Sequence, residues 1–247
     1  MKNSKKLKLG IFDFSDCEGC QVEILSLKDK LSALTRRIEI INWRLGQKKA
    51  DWRQFDIALI EGTPLMLEEV ALLKFIRKRS KLLIGLGTCA TLGGIPAILD
   101  KKERQKWYAK IYGPKYQGRG IDAFPLSAYV KVDFLIHGCP VNKTEMARII
   151  GDLIAGKKLN YKNYPVCLDC KLAGLSCRLL NKKLCLGPIT QSGCEAICLQ
   201  GGSPCYGCFG LREGANIEAL LKILEKFSSP EEIKNYFSMF HKKSKLL

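Results

Sequence analysis

Twelve cysteines are the residues of this chain best equipped for chemistry: Cys17, Cys20, Cys89, Cys139, Cys167, Cys170, Cys177, Cys185, Cys194, Cys198, Cys205 and Cys208. Three pairs have Cys-x-x-Cys spacing, at 17–20, 167–170 and 205–208. Thiolates are soft donors that suit zinc and iron–sulfur clusters. Disulfides would require an oxidising compartment. The opening "MKNSKKLKLGIFDF" is basic, but its apolar part is short and no small-residue cleavage pattern follows, so no secretory signal is expected. The pair Arg36-Arg37 is internal and reads as a helix end. No apolar run approaches the roughly 18 residues of a membrane span. A cytoplasmic protein without membrane insertion is the expectation, and there thiols stay reduced. Burial as small hydrophobes accounts for one or two cysteines but not for twelve.

The elements that must position these thiols are legible in the first half. "KLGIFDF" (8–14), "IEIINW" (38–43), "DIALIEG" (56–62), "KLLIGLG" (81–87) and "VDFLIHG" (132–138) read as strands. "QVEILSLKDKLSALTRR" (21–37), "LMLEEVALLKFIRKR" (65–79) and "KTEMARIIGDLIAG" (143–156) read as helices, and 100–128 as a long surface insertion. Alternation of this kind predicts an α/β fold, a flavodoxin-like parallel sheet of order 2-1-3-4-5. Cys17 and Cys20 then follow strand one, Cys89 follows strand four and Cys139 follows strand five. All four sit past carboxyl ends of strands, the edge where open α/β sheets bind ligands. The loops "DCEGCQ", "GTCATLGG" and "HGCP" carry glycines that let backbone N–H groups approach sulfur. One four-thiolate metal site is predicted here.

After Gly156 helical periodicity fades, and eight cysteines fall between 167 and 208. Two units are expected, 1–156 and 157–247, the second a small, mostly irregular and helical metal domain whose folding draws on its metal. A zinc ribbon spaces its two knuckles by roughly 15–20 residues. Here 34 residues separate "CLDC" from "CYGC", with four cysteines between. Two interleaved zinc sites, in a zinc-stabilised scaffold without redox role, are the rival to two clusters. Eight divide into four and four, which with the first site makes three tetrathiolate centres.

In this order and at these places, "DCEGCQ", "IEGT" (60–63), "GTCATLGGIPA" (87–97), "HGCPVN" (137–142), "CLGPITQSGCEAIC" and "GGSPCYGC" resemble the small subunit of [NiFe]-hydrogenases across nearly the whole chain. The resemblance implies a chain that carries electrons through three [4Fe–4S] clusters and is active only with a large subunit holding the nickel–iron centre. It makes Cys17, Cys20, Cys89 and Cys139 ligands of a proximal cluster facing that subunit. Cys194, Cys198, Cys205 and Cys208 become ligands of a medial cluster, and Cys167, Cys170, Cys177 and Cys185 of a distal one. Membrane-bound uptake enzymes have histidine where this chain has Cys167, and proline where it has Cys198. All-cysteine sites point to the soluble hydrogenases linked to NAD(P), coenzyme F420 or heterodisulfide reductase, with a diaphorase or other acceptor subunit as further partner. The related subunit of respiratory complex I lacks the second cluster domain and has adjacent cysteines where this chain has Cys17-x-x-Cys20.

Asp16, Glu18 and Glu61 lie at the same edge as the first site, where a carboxylate can cap a loop, bond a partner subunit or assist proton movement. His137 reads as a structural histidine, and His241, in "HKKSKLL", as a solvent- or partner-facing residue of a basic tail. The formal charge of +17 comes from 30 Lys and 11 Arg spread along the chain. No basic block is interleaved with aromatics that would stack bases, so an acidic protein partner is expected rather than nucleic acid.

Overall fold

The computed structural model describes residues 6–28 and 35–244. Five parallel strands, β1 (Leu7–Asp13), β2 (Ile38–Trp43), β3 (Phe55–Glu61), β4 (Ser80–Leu86) and β5 (Phe134–Ile136), form one sheet of order β2-β1-β3-β4-β5. The expected order is borne out, although β5 is only three residues long. Strands buried on both faces read as continuous apolar runs. In β3, all but Asp56 of "FDIALIE" is buried.

Helices cover both faces. On one side α1 (Gly19–Leu25) and a later helix, Lys143–Ile154, bring Ile24, Leu27, Met146, Ile149 and Ile150 against Ile11, Leu59 and Leu86. On the other, the helix Leu67–Arg79 (α2) sets Leu73 and Ile76 against Ile60 and Leu83. Between β4 and β5 run α3 (Gly87–Leu92) and α4 (Lys101–Tyr112). Asp100 and Glu103 cap α4 reciprocally, and none of its residues is buried. The insertion is thus a surface helix, anchored by the buried Ala123 and Leu126. Helix Lys143–Ile154 is α5, capped by Asn142. The helix expected over 21–37 is seen as α1 and the turn after it, and residues 29–34 of that span lie outside the described residues.

The remainder carries short helices α6 (Val166–Leu172) and α7 (Ile197–Gln200), then α8 (Ile217–Leu224) and α9 (Pro230–His241). The tail reading of His241 is overturned. Ser229 and Glu232 form a capping box, Pro230 takes the first helical position, and Ile233, Phe237 and Phe240 face inward. His241 ends this helix with only 4 % of its surface exposed. Lys242 then bonds Ile98 O and Glu103 Oε2, both at 2.6 Å, so α9 packs back onto the segment after β4.

Candidate metal centres

At the carboxyl edge of the sheet four loops are fastened in two pairs. Ser15 and Thr63 pair as an isolated bridge, tying the loop after β1 to that after β3. Thr88 N donates to Gly138 O at 2.8 Å, tying the loop after β4 to that after β5. The Glu61 carboxylate, buried at the end of β3, accepts from Cys20 N at 2.9 Å and Gln21 N at 3.0 Å. It therefore caps the first turn of α1, and Asp16 Oδ1 accepts from Glu18 N at 2.8 Å in the same loop. Glu18 also pairs with Arg44. All three carboxylates act within the fold. Asp16 Oδ2 is buried without a partner, and burial, then the Glu61 charge, push its pKa up to about 7. His137 bonds Thr91 Oγ1 through Nδ1 at 2.8 Å, the structural role expected. Burial and then His241 push it down to about 4, keeping the ring neutral.

Glycines make room for the sulfurs. At Gly87, with φ +80°, a Cβ would stand 2.4 Å from Cys20 Sγ, and at Gly94 one would stand 2.8 Å from Cys89 Sγ. Real side chains never approach so closely, so these backbones can lie against sulfur only as glycine. Cys17, Cys20, Cys89 and Cys139 are thereby brought to one edge. Burial raises the Cys20 and Cys139 thiols, and pushes Cys89 up to about 12, with Cys139 its next cause. Such thiols stay protonated in the bare chain. A cationic centre among them reverses that, because metal-bound thiols deprotonate outright.

The eight later cysteines lie close together, with Cys170, Cys185 and Cys205 in one buried cluster. Helix α6 carries Cys167 and Cys170, and burial, then Cys185, Cys170 and Cys177, push Cys167 up to about 11. A Cβ on Gly187 would stand 3.2 Å from Cys167 Sγ and 3.5 Å from Cys185 Sγ. Cys194, just before α7, is pushed up to about 11 by burial, against a lowering by the Ala196 backbone and with a further rise from Cys198. Cys208 is raised by burial, then by Cys194 and Cys198. A cavity of about 370 Å³ is lined by Cys139, Cys194, Cys198, Cys205 and Cys208.

Cys205 N donates to Cys185 Sγ at 3.5 Å, and Cys139 shares a cavity lining with Cys194, Cys198, Cys205 and Cys208. Three side chains bond the carbonyls of the loop Cys205–Cys208, beside the amides of Leu186 and Gly210. Tyr236 Oη donates to Cys205 O at 2.9 Å, His241 Nε2 to Gly207 O at 3.0 Å and Thr88 Oγ1 to Cys208 O at 2.8 Å. Sequence reasoning missed all three supports. All twelve thiols are free. Among the described residues no three Cys, His, Asp or Glu side chains are spaced for a single ion. The all-sulfur donor sets, the side-chain-free glycine faces and the N–H···S bonds fit iron–sulfur clusters.

Among known proteins, the family described as NADH ubiquinone oxidoreductase, 20 Kd subunit, matches residues 17–153, ending before the first of the eight later cysteines. The sulfhydrogenase 2 subunit delta of Pyrococcus furiosus is 37% identical over 92% of this chain and 96% of its own length. A subunit of the F420-non-reducing hydrogenase vhu of Methanocaldococcus jannaschii is 27% identical over 93% and 97%. Among solved structures, a chain of the actinobacterial-type NiFe-hydrogenase from Ralstonia eutropha shares the fold, with a TM-score of 0.60, 15% identity and coverage of 97% of this chain and 91% of that one. The family match ends within the sheet half, while the two relatives run on through the cysteine-rich half. The chain belongs to the NADH ubiquinone oxidoreductase 20 Kd subunit family, as a small subunit of a [NiFe]-hydrogenase, an oxidoreductase.

Proposed function

We propose that this chain is the electron-transferring small subunit of a cytoplasmic [NiFe]-hydrogenase complex, with three [4Fe–4S] sites. Cys17, Cys20, Cys89 and Cys139 would hold the proximal one, facing a large subunit with the nickel–iron centre. Cys194, Cys198, Cys205 and Cys208 would hold the medial one, and Cys167, Cys170, Cys177 and Cys185 the distal one, toward a diaphorase or other acceptor subunit. The sheet part, 1–156, carries the first site and the part 157–247 the other two. Among the described residues no helix is long and apolar enough to cross a membrane.

One observation supports the reading: Cys139, from the sheet edge, lines a cavity with Cys194, Cys198, Cys205 and Cys208, and Cys205 N in turn donates to Cys185 Sγ. When bound, each cluster supplies reversible one-electron chemistry. The chain's own residues set its conditions. Cys205 N donates to Cys185 Sγ at 3.5 Å, and the backbone at Val141, Ile95, Gly187 and Gly207 favours the thiolates of Cys20, Cys89, Cys185 and Cys205. Such bonds spread negative charge off sulfur and favour the reduced state. Burial of Cys20, Cys170, Cys185 and Cys205 excludes water from the path. Glu61 fixes the turn that aims Cys20 and adds negative charge beside it.

Metal and acid-labile sulfide analysis of the purified protein tests the proposal. Three clusters give about 12 Fe and as much sulfide per chain. Zinc without sulfide would replace this reading with a structural scaffold.

A further inference from the structure

The most exposed large apolar side chains among the described residues are Leu180, 83 % exposed, and Leu172, 78 %. Both belong to the segment of Cys167, Cys170, Cys177 and Cys185. Leu172 follows Cys170 by two positions and Leu180 follows Cys177 by three. Leu168, also exposed, lies four residues before Leu172 in α6 and so on the same helix face. Other leucines of this segment, Leu175 and Leu179, pack against the buried cluster around Cys170 and Cys185. The outward set is therefore a distinct face of the same stretch of chain.

The charges on this segment have one sign. From Cys170 to Cys194 there is no Asp or Glu, while Lys171, Arg178, Lys182 and Lys183 fall within it. Lys171, Lys182 and Lys183 are exposed and take part in no ion pair among the described residues. The nearest carboxylate on α6, Asp169, accepts from Ser192 Oγ. Glu195, the next acid along the chain, lies beside Cys194. The opposite end of the cysteine series differs. Around Cys17 and Cys20 stand Asp13, Asp16, Glu18 and Glu23, with Arg44 paired to two of them.

We propose that this leucine-centred, lysine-rimmed face over Cys167–Cys185 docks the acceptor subunit of the complex, through an apolar spot ringed by Asp and Glu. Apolar side chains at the centre of an interface are desolvated on docking, while rim charges steer encounter and fix orientation. An acidic rim is the complement of three exposed lysines with no counter-charge. The proposal rests on the assignment of these four cysteines as a redox site, because docking here brings the acceptor within reach of the third thiol group.

Zero-length carbodiimide cross-linking of the purified complex tests it, since the reagent joins an ammonium to a carboxylate only in direct contact. The expected result is a covalent link from Lys171, Lys182 or Lys183 to Asp or Glu of a subunit other than the large one. The double variant Lys182→Glu, Lys183→Glu should retain that subunit on the order of tenfold less at low salt. Its large subunit and its H2-dependent reduction of methyl viologen should stay unchanged, showing an intact fold. Links only to the large subunit or to a second copy of this chain would overturn the proposal. So would a complex with no further subunit, or a double variant that keeps its full complement. The expected link in protein whose third site holds zinc and no sulfide would keep the docking face and remove the electron-transfer reading beneath it.

Discussion

Around the sheet, buried clusters are made of Ile, Leu, Val, Phe, Met, Ala and Trp, and Cys20 is their one cysteine. Around α6 and α7 the buried cluster is Val166, Cys170, Cys185, Ala196, Leu199 and Cys205, half of it thiol. A hydrocarbon core holds together through its own transfer from water. A core of thiols contributes little of that, and once deprotonated its members repel. The first region is therefore expected to fold and then receive metal, and the second to need metal in order to fold. The helices α8 and α9 stand between these cases, with Leu220, Leu224, Ile233 and Phe237 packed on Leu186 and Ile189.

The comparison breaks most visibly on removing iron. Hydrogen exchange should show residues 160–210 losing nearly all protection in apo protein, while β1, β3 and β4 stay protected. Equal protection of 167–208 in both forms would end the distinction. Next in size is a pair of single-ligand changes. Cys205→Ala should expose the 167–208 region to proteolysis, while Cys89→Ala should lose one cluster's iron and leave the sheet folded. Limited proteolysis with iron counting reads both, and cleavage within the sheet of the Cys89 variant would contradict the contrast.

Core truncations sharpen it further. Leu83→Ala, fully buried in the sheet, should cost about 2–5 kcal/mol in apo and holo protein alike. Leu199→Ala should change denaturant unfolding only of the holo form. Smaller again is Glu61→Gln, which keeps one acceptor oxygen for two amide donors. A loss of about 1–3 kcal/mol is expected, with a higher potential at the first site because a negative charge is gone. A redox titration identical to wild type would refute that electrostatic role. Smallest is Lys242→Ala, whose ammonium is partly exposed and should contribute about 1 kcal/mol to seating α9. A large drop in thermal stability would mean the two regions lean on each other more than their cores suggest.

Much of the fold was legible because a buried parallel strand writes itself as an unbroken apolar run, as in "IALI" and "LLIG". The edge position of Cys17, Cys20, Cys89 and Cys139 followed from that alone. Strand β5 was harder to bound, since only Phe134–Ile136 make ladder bonds and its flanks belong to turns. Grouping the later cysteines needed resemblance, because α6 and α7 are too short to carry periodicity. Helix α9 was legible and overlooked. Its signal was Ser229-Pro230-x-Glu232 with apolar residues at 233, 237 and 240, obscured by the lysines after His241. With α9 went Tyr236 and His241, whose bonds to the Cys205–Cys208 loop join residues more than thirty positions apart.

Those bonds have a consequence for the order in which the molecule is made. A ribosome releases this chain from its amino end, so all twelve thiols emerge before Tyr236 and His241. The sheet and its cysteine loops can assemble while synthesis continues, since every residue that fastens Cys20 and Cys89 precedes residue 142. Until α9 arrives, Thr88 is the one side chain bonding the carbonyls of the Cys205–Cys208 loop, beside the amides of Leu186 and Gly210. The side-chain supports of this loop are therefore completed last, and nascent chains stalled before residue 230 should take up iron at the sheet edge first.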